Sequence, residues 1–169
     1  GLPLTEDHIQ TFLNRRKPGQ SKYTTARQES DRAEILSGVF EGRTTGTPIS
    51  LMVRNMDQRS RDYGQIKDCF RPGHADYTFH EKYGFRDYRG GGRTSGRETI
   101  GRVAAGAVAS LLLENLGIHI TAYTKSIGSI VIPNESYRYE EIYENPLYMP
   151  NNAYARDAAL YLEECIKSQ

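Results

Sequence analysis

The 169 residues, 37% hydrophobic and 25% charged, have the length of one domain with a real core and the composition of a water-soluble globular protein. A net charge of +1 sets up no global field for nucleic acid or an anionic membrane, and no apolar run approaches the ~18 residues of a membrane span. Cys69 and Cys165 form no CxxC pair and no stretch reads as a signal peptide, so a reducing, cytoplasmic location is expected.

The charge is uneven. Residues 1–100 hold 17 Lys and Arg against 13 Asp and Glu, while residues 101–169 hold 5 against 8. Arginine outnumbers lysine 16 to 6, a choice that favours bidentate recognition of carboxylate or phosphate. Gly1-Leu2-Pro3-Leu4 carries no initiator Met and the last helical pattern runs out without a cap, so a longer parent chain is expected.

Thr5 is a good helix N-cap, with Glu6 and Asp7 in the first turn and Ile9, Phe12 and Leu13 on one face. Arg15, Arg16 and Lys17 close that helix before Pro18-Gly19, either complementing the dipole or serving a ligand. Residues 19–32 are polar and unpatterned. Residues 34–40 (EILSGVF) and 48–53 (PISLMV) read as two strands around the turn chemistry of EGRTTGT, with Ile49, Leu51 and Val53 on the buried face. Residues 54–68 are again polar and Arg-rich, and two such segments suggest a site built from loops on a rigid frame.

The stretch 71–99, RPGHADYTFHEKYGFRDYRGGGRTSGRET, organises the chain. It is poor core material, with five arginines and few aliphatic side chains. Gly90, Gly91 and Gly92 allow positive φ and close approach of a ligand, and Thr94 and Ser95 offer side-chain oxygens where a helix begins. A glycine loop entering a helix N-terminus is a ready anion site, so this stretch is expected to floor a pocket for a phosphorylated or carboxylated ligand. Residues 97–116 form the strongest helical pattern, apolar almost all round and expected to be buried on several sides, with Gly117 as its stop. Residues 118–127 alternate as a strand containing His119, expected to be a structural surface or edge residue. Residues 133–152 read as a loop. An amphipathic helix from about Asn152 buries Ala155, Ala159, Leu162 and Ile166.

Among chemical candidates, Cys69, His74, Asp76 and His80 match no common zinc spacing, and no metal is expected. A single RGGGR lacks the repetition of RNA-binding tails, and neither a P-loop nor a GxGxxG follows a strand. His74, between Arg71-Pro72-Gly73 and Asp76, is the most interesting ionisable group; its residue type and setting leave a proton-donor role and a structural role both open. His80 reads as a packing or surface residue.

These strings are recognisable. RPGHADYTFHEKYGFRDYRGGGRTSGRETIGRVAAGAVA resembles the chorismate synthase family, and so do PLTEDHIQTFLNRRKPGQSKYTTARQES, ILSGVFEGRTTGTPI and MDQRSRDY, together covering nearly all of residues 1–130. The resemblance implies an α+β fold, a β-α-β sandwich with antiparallel sheets and helices between them, of which residues 1–169 form a single partial domain from the N-terminal half. It implies 1,4-anti elimination of phosphate from 5-enolpyruvylshikimate 3-phosphate to give chorismate, the last shared step of aromatic amino-acid biosynthesis. It further implies reduced FMN as cofactor and a homotetramer as assembly, and it leaves open whether NADPH or an outside reductant reduces the flavin. Matched by position, His74 stands as the catalytic histidine that protonates the reduced flavin. Arg93, Thr94 and Ser95 stand as flavin contacts and Arg71 as a substrate-anion contact. Arg16 and Lys22 occupy positions for nicotinamide-nucleotide or substrate-phosphate binding, where Lys22 replaces the usual Arg and loses its fork. Thr94 and Gly96 stand where Ser and Ala are common. The family's Gly-Glu-Ser-His segment and its C-terminal half find no match here, so the chain alone is expected to be inactive. The competing reading is a non-catalytic anion-binding or assembly module using the same Arg-rich surface.

Overall fold

A computed structural model describes residues 1–24, 30–56, 64 and 66–168. The fold is α+β, with helices and small antiparallel sheets. It divides into two compact units, one of residues 1–19 and 25–118 and one of residues 20–24 and 119–169.

In the first unit, α1 (Glu6–Arg16) starts where Thr5 leaves the chain extended. His8 Nδ1 accepts the Thr5 backbone N–H at 3.0 Å, which satisfies an otherwise open donor at the helix start. Ile9 and Leu13 recur at helical spacing and are fully buried with Leu4. β1 (Ala33–Ser37) pairs antiparallel with β4 (Ser50–Val53), Ile35 opposite Leu51. Between them β2 (Val39–Phe40) and β3 (Arg43–Thr44) close a small hairpin, so the expected two strands carry a further ladder in their connection. Ile49, Leu51 and Val53 pack against the core as expected.

α2 (Asp76–Tyr83) ends at Gly84 in the left-handed region, φ 76°. α3 (Thr99–Glu114) contributes Ile100, Ala104 and Ala107 to the core with Leu4, Ile9, Leu13 and Ala33. Gly117, at φ 73°, lies just past its end, and the Gly117 and Ile118 amides turn back to the carbonyls of Glu114 and Leu113.

Two expectations for this region need correction. α3 begins at Thr99 rather than residue 97, because residues 92–94 and 96–98 first wind into two tighter 3-10 turns. It is also buried along one face only. α1, β4 and the 3-10 turn that precedes it contact it within the unit, while Leu112 on the helix remains 54% exposed and Leu116, just past its end, 66%.

In the second unit, β5 (Ser126–Ile127) and β6 (Ile130–Val131) form a short hairpin. α4 (Asn152–Lys167) packs Ala155 and Ala158 against Ile132, Leu147 and Met149. Asn151 caps α4, its Oδ1 accepting from the amides of Ala153 and Tyr154 at 3.0 and 3.4 Å. The strand expected over 118–127 shrinks to its last two residues. Alternation alone makes no strand without a ladder to join, and Ile118 and Ile120 stand exposed, as does His119. On α4 the buried position is Ala158 with Ala159 half-buried, and Ile166, expected inside, is 58% exposed. No helix among the described residues is long and apolar enough to cross a membrane.

Candidate functional site

The turn before α2 is tied together by one carboxylate. Asp76 sits in the first helical turn and is buried. It accepts from Arg71 Nε at 2.8 Å, Arg71 Nη2 at 2.9 Å and the Arg71 backbone amide at 3.1 Å. Such a fork-on-fork pair fixes both the guanidinium plane and the loop that carries it. Hydrogen bonds from Arg71 hold the Asp76 carboxyl far below the usual carboxylate range, with Arg86 adding to the effect. Arg86 Nη1 stands 3.5 Å from Asp76 Oδ2. Its Nη2 donates to the carbonyls of Lys67 and Cys69, both at 2.6 Å, and lies 3.3 Å from that of Ile66. Arg86 therefore serves as an internal staple for the preceding turn, its guanidinium 5.4 Å from the centre of the Phe70 ring.

His74 rides on this turn. Its amide donates to the Arg71 carbonyl at 3.3 Å and its side chain is exposed. The imidazole is thus presented to solvent from a rigid base. His80 lies on α2, exposed, with its ring 5.4 Å from that of Phe70.

The glycine loop closes on the same arginine. Gly90, Gly91 and Gly92 all have positive φ (102°, 89° and 50°), the conformations their lack of Cβ permits. A Cβ at Gly91 would stand 2.6 Å from Thr94 Oγ1 and 3.2 Å from Arg71 Nη2. Thr94 Oγ1 donates to the Gly91 carbonyl at 2.7 Å. Ser95 Oγ accepts the Arg97 amide at 3.2 Å and so caps the second 3-10 turn. Arg93 is held by Glu98 at 3.1 Å, yet its side chain is 86% exposed. Arg71, Gly91 and Thr94 are thus brought into one packed group, with Ser95 and Arg93 beside it in the chain.

A second carboxylate gathers a second pair of arginines. Asp31 is buried and lies 2.7 Å from Arg16 Nη1 and 3.2 Å from Arg97 Nη2. Arg16 Nε also donates to Thr99 Oγ1 at 3.2 Å. The end of α1 is thereby joined to the start of α3. Lys22 belongs to the other unit, where it pairs with Glu163 of α4 and lies 5.3 Å from the centre of the Tyr23 ring. The hydrogen bond to Glu163 raises the Lys22 pKa above its ordinary value.

Sequence reasoning missed Asp31 and Arg86 and read Asp76 only as a poor metal ligand. An aspartate five residues after an arginine, across Pro-Gly and at a helix start, is a usable local signal for Asp76. Nothing local marks Asp31, whose partners lie 15 and 66 residues away.

The family model for chorismate synthase matches residues 1–169. The chain belongs to the chorismate synthase family. The chorismate synthase of Agathobacter rectalis is 62% identical over 99% of this chain and 46% of its own length, and that of Lachnoclostridium phytofermentans is 62% identical over 98% and 45%. A crystal structure of chorismate synthase superposes with a TM-score of 0.70 at 33% identity, covering 96% of this chain and 46% of that one. The chain therefore spans about half the length of the chorismate synthases it matches.

Proposed function

We propose that this chain supplies part of the active site of a flavin-dependent lyase that converts 5-enolpyruvylshikimate 3-phosphate to chorismate and phosphate by 1,4-anti elimination. The observation that carries the reading is the group formed by Arg71, Gly91 and Thr94 beside an exposed His74, in a chain of this family. A substrate with a phosphate and two carboxylates calls for guanidiniums fixed in advance, and Asp76 fixes Arg71 before any ligand arrives.

The donor set suits an FMN phosphate as well. Ser95 has a hydroxyl proton to give, Arg93 presents its guanidinium to solvent, and the close approach at Gly91 is one that only a missing Cβ allows. Arg93, Thr94 and Ser95 would hold the cofactor, and Arg71 the substrate anion. Reduced flavin, when bound, would lend electron density toward the departing phosphate and recover it, leaving no net redox change. In the elimination phosphate leaves with the C–O bonding pair, the C–H pair on the opposite ring face shifts the ring double bond to complete the conjugated diene, and the proton is released to solvent. His74 would stand as the proton donor toward the reduced flavin, on a turn that Asp76 ties to the Arg71 amide. Arg16 and Lys22 serve phosphate groups of substrate or NADPH. The reading extends to a cytoplasmic homo-oligomer, and to a chain that binds FMN weakly and does not turn over by itself.

The test is anaerobic turnover of 5-enolpyruvylshikimate 3-phosphate by the full-length protein with photoreduced FMN. Chorismate should form, His74→Ala should abolish turnover, and Arg93→Ala should weaken FMN binding. No chorismate and no flavin response would instead favour the anion-binding or assembly module.

A further inference from the structure

We propose that Arg86 is a positioning residue for the lyase reaction, its guanidinium seated among three backbone carbonyls under the turn that carries Arg71 and His74. The proposal rests on the reading above, in which Arg71 meets the substrate anion and His74 delivers a proton. Three observations carry it.

The first is the seat. The carbonyls of Lys67 and Cys69, each at 2.6 Å, and of Ile66 at 3.3 Å converge on Arg86 Nη2. Carbonyl dipoles turned on one point repel one another unless a cation stands among them. Their convergence is therefore set by the guanidinium, whose side chain is 7% exposed and lies beside the Phe70 ring. A lysine would bring the charge without the planar fork, and could not serve these carbonyls and a carboxylate together.

The second is the link to the reacting groups. Cys69 and Phe70 lead directly into Arg71. At the far end of the turn, Arg86 Nη1 stands 3.5 Å from Asp76 Oδ2, the same oxygen that accepts the Arg71 amide and Arg71 Nε. Arg86 thus meets the 71–76 turn from both ends. His74 follows that turn, its amide bonded to the Arg71 carbonyl at 3.3 Å and its Nδ1 3.4 Å from the Pro72 carbonyl. Asp87, the next residue, lies against the glycine loop, where a Cβ at Gly92 would stand 3.1 Å from its Oδ2.

The third is the lack of apolar support. Among the described residues, neither hydrophobic core cluster draws a side chain from residues 66–98. Tyr77, Tyr83 and Phe85 are exposed. The shape of the turn then depends on its polar ties, and Arg86 is where those ties meet. A buried charge is a weak device for stability alone. Fixed geometry at a reacting centre is a strong one for rate, since a 1 Å displacement costs about a hundredfold.

The full-length protein is compared with Arg86→Lys, Arg86→Ala and Arg71→Gln. The readings are kcat and KM for 5-enolpyruvylshikimate 3-phosphate under photoreduced FMN, at a temperature where each variant is fully folded. Arg86→Lys should raise KM about tenfold through Arg71 and lower kcat about tenfold through His74, a pair of effects that a purely structural residue does not produce in folded protein. In Arg86→Ala, millimolar guanidinium should enter the vacated seat and restore kcat by at least about fivefold, while sodium chloride at equal ionic strength should not. Arg71→Gln combined with Arg86→Lys should show the KM of Arg71→Gln alone, because Arg86 acts on substrate binding through Arg71. Wild-type kcat and KM in folded Arg86→Lys, with only a lower Tm, overturn the proposal. So does a KM loss that multiplies in the combined variant, or a guanidinium rescue no better than that of sodium chloride. Should Arg86→Ala fail to fold, Arg86→Lys and the combined variant decide the matter. Should the wild type make no chorismate, the lyase reading fails on its own. The seat is then read by inorganic phosphate, which should raise Tm more in the wild type than in Arg86→Lys, and equal shifts overturn the proposal.

Discussion

Asp76→Asn removes one charge from the tightest ionic cluster described and leaves its volume in place. Asp76 accepts three hydrogen bonds from Arg71 and faces Arg86 at 3.5 Å, with Arg71 and Arg86 side chains 17% and 7% exposed. Breaking a buried pair by removing one partner costs about 3–5 kcal/mol, because the other charge is left uncompensated. The solvent-facing edge of Arg71 and the carbonyl oxygen that Asn retains reduce this to roughly 2–4 kcal/mol. Urea unfolding at pH 7 should therefore show a midpoint lower by about 1–2 M. The pH dependence has a definite sign. The folded-state carboxyl lies below its unfolded value of about 3.9, so its contribution is complete above that value and declines as pH falls toward the folded pKa. The decline is about 1.4 kcal/mol per pH unit, so the gap between wild type and Asp76→Asn should narrow by about 1 kcal/mol between pH 7 and pH 3. A penalty below about 1 kcal/mol at pH 7, or one that is the same at pH 3, would refute the reasoning.

Gly91→Ala should cost about 2–4 kcal/mol in chemical unfolding. A side chain at φ 89° is strained, and its Cβ would stand 2.6 Å from the Thr94 hydroxyl that bonds the Gly91 carbonyl. FMN binding to the full-length protein should fall with it. Asn151→Ala removes the α4 cap and a 3.0 Å bond to the Ser136 carbonyl, and should lower stability by about 1–3 kcal/mol, read by thermal melting. His74→Ala should abolish turnover in the full-length protein while shifting stability by less than about 0.5 kcal/mol, since the side chain is exposed. Equal losses of rate and Tm would make His74 a packing residue.

The parts of the fold legible in the sequence are those specified locally. Thr5 followed by Glu6, Asp7 and the Ile9–Leu13 spacing sets α1 without help from elsewhere, and Gly117 marks the end of α3 by its own φ. Ile49, Leu51 and Val53 announce a buried face because strand alternation has period two. The misreadings come where local pattern needs a distant partner. Residues 118–127 alternate like a strand, but only Ser126 and Ile127 find a ladder. The all-round apolar pattern of α3 describes what the helix could bury, and within its unit α1 and β4 cover only one side. For the candidate site, the arginines and glycines were legible by type, because few residues tolerate φ 89° and guanidiniums resist burial. Which arginine meets which acid was not, since Asp31 reaches Arg97 across 66 residues. The two polar segments expected to build loops around the site fall partly on residues 25–29, 57–63 and 65, outside the described residues.

Both buried aspartates among the described residues follow one rule. Asp76 holds Arg71 and Arg86, and Asp31 holds Arg16 and Arg97, each carboxylate reaching two guanidiniums. A cluster of bare arginines would repel itself in the unliganded protein and spread its side chains into water, so each ligand would first have to gather them. A buried carboxylate that reaches two arginines holds the guanidiniums in place before any ligand arrives. The glycine loop runs between the clusters, Gly91 packed on Arg71 at one end and Arg97 paired with Asp31 at the other. Shifting either aspartate therefore moves a wall of the same loop, and substitutions at Asp31 and Asp76 should act on ligand binding more strongly together than the product of their separate effects.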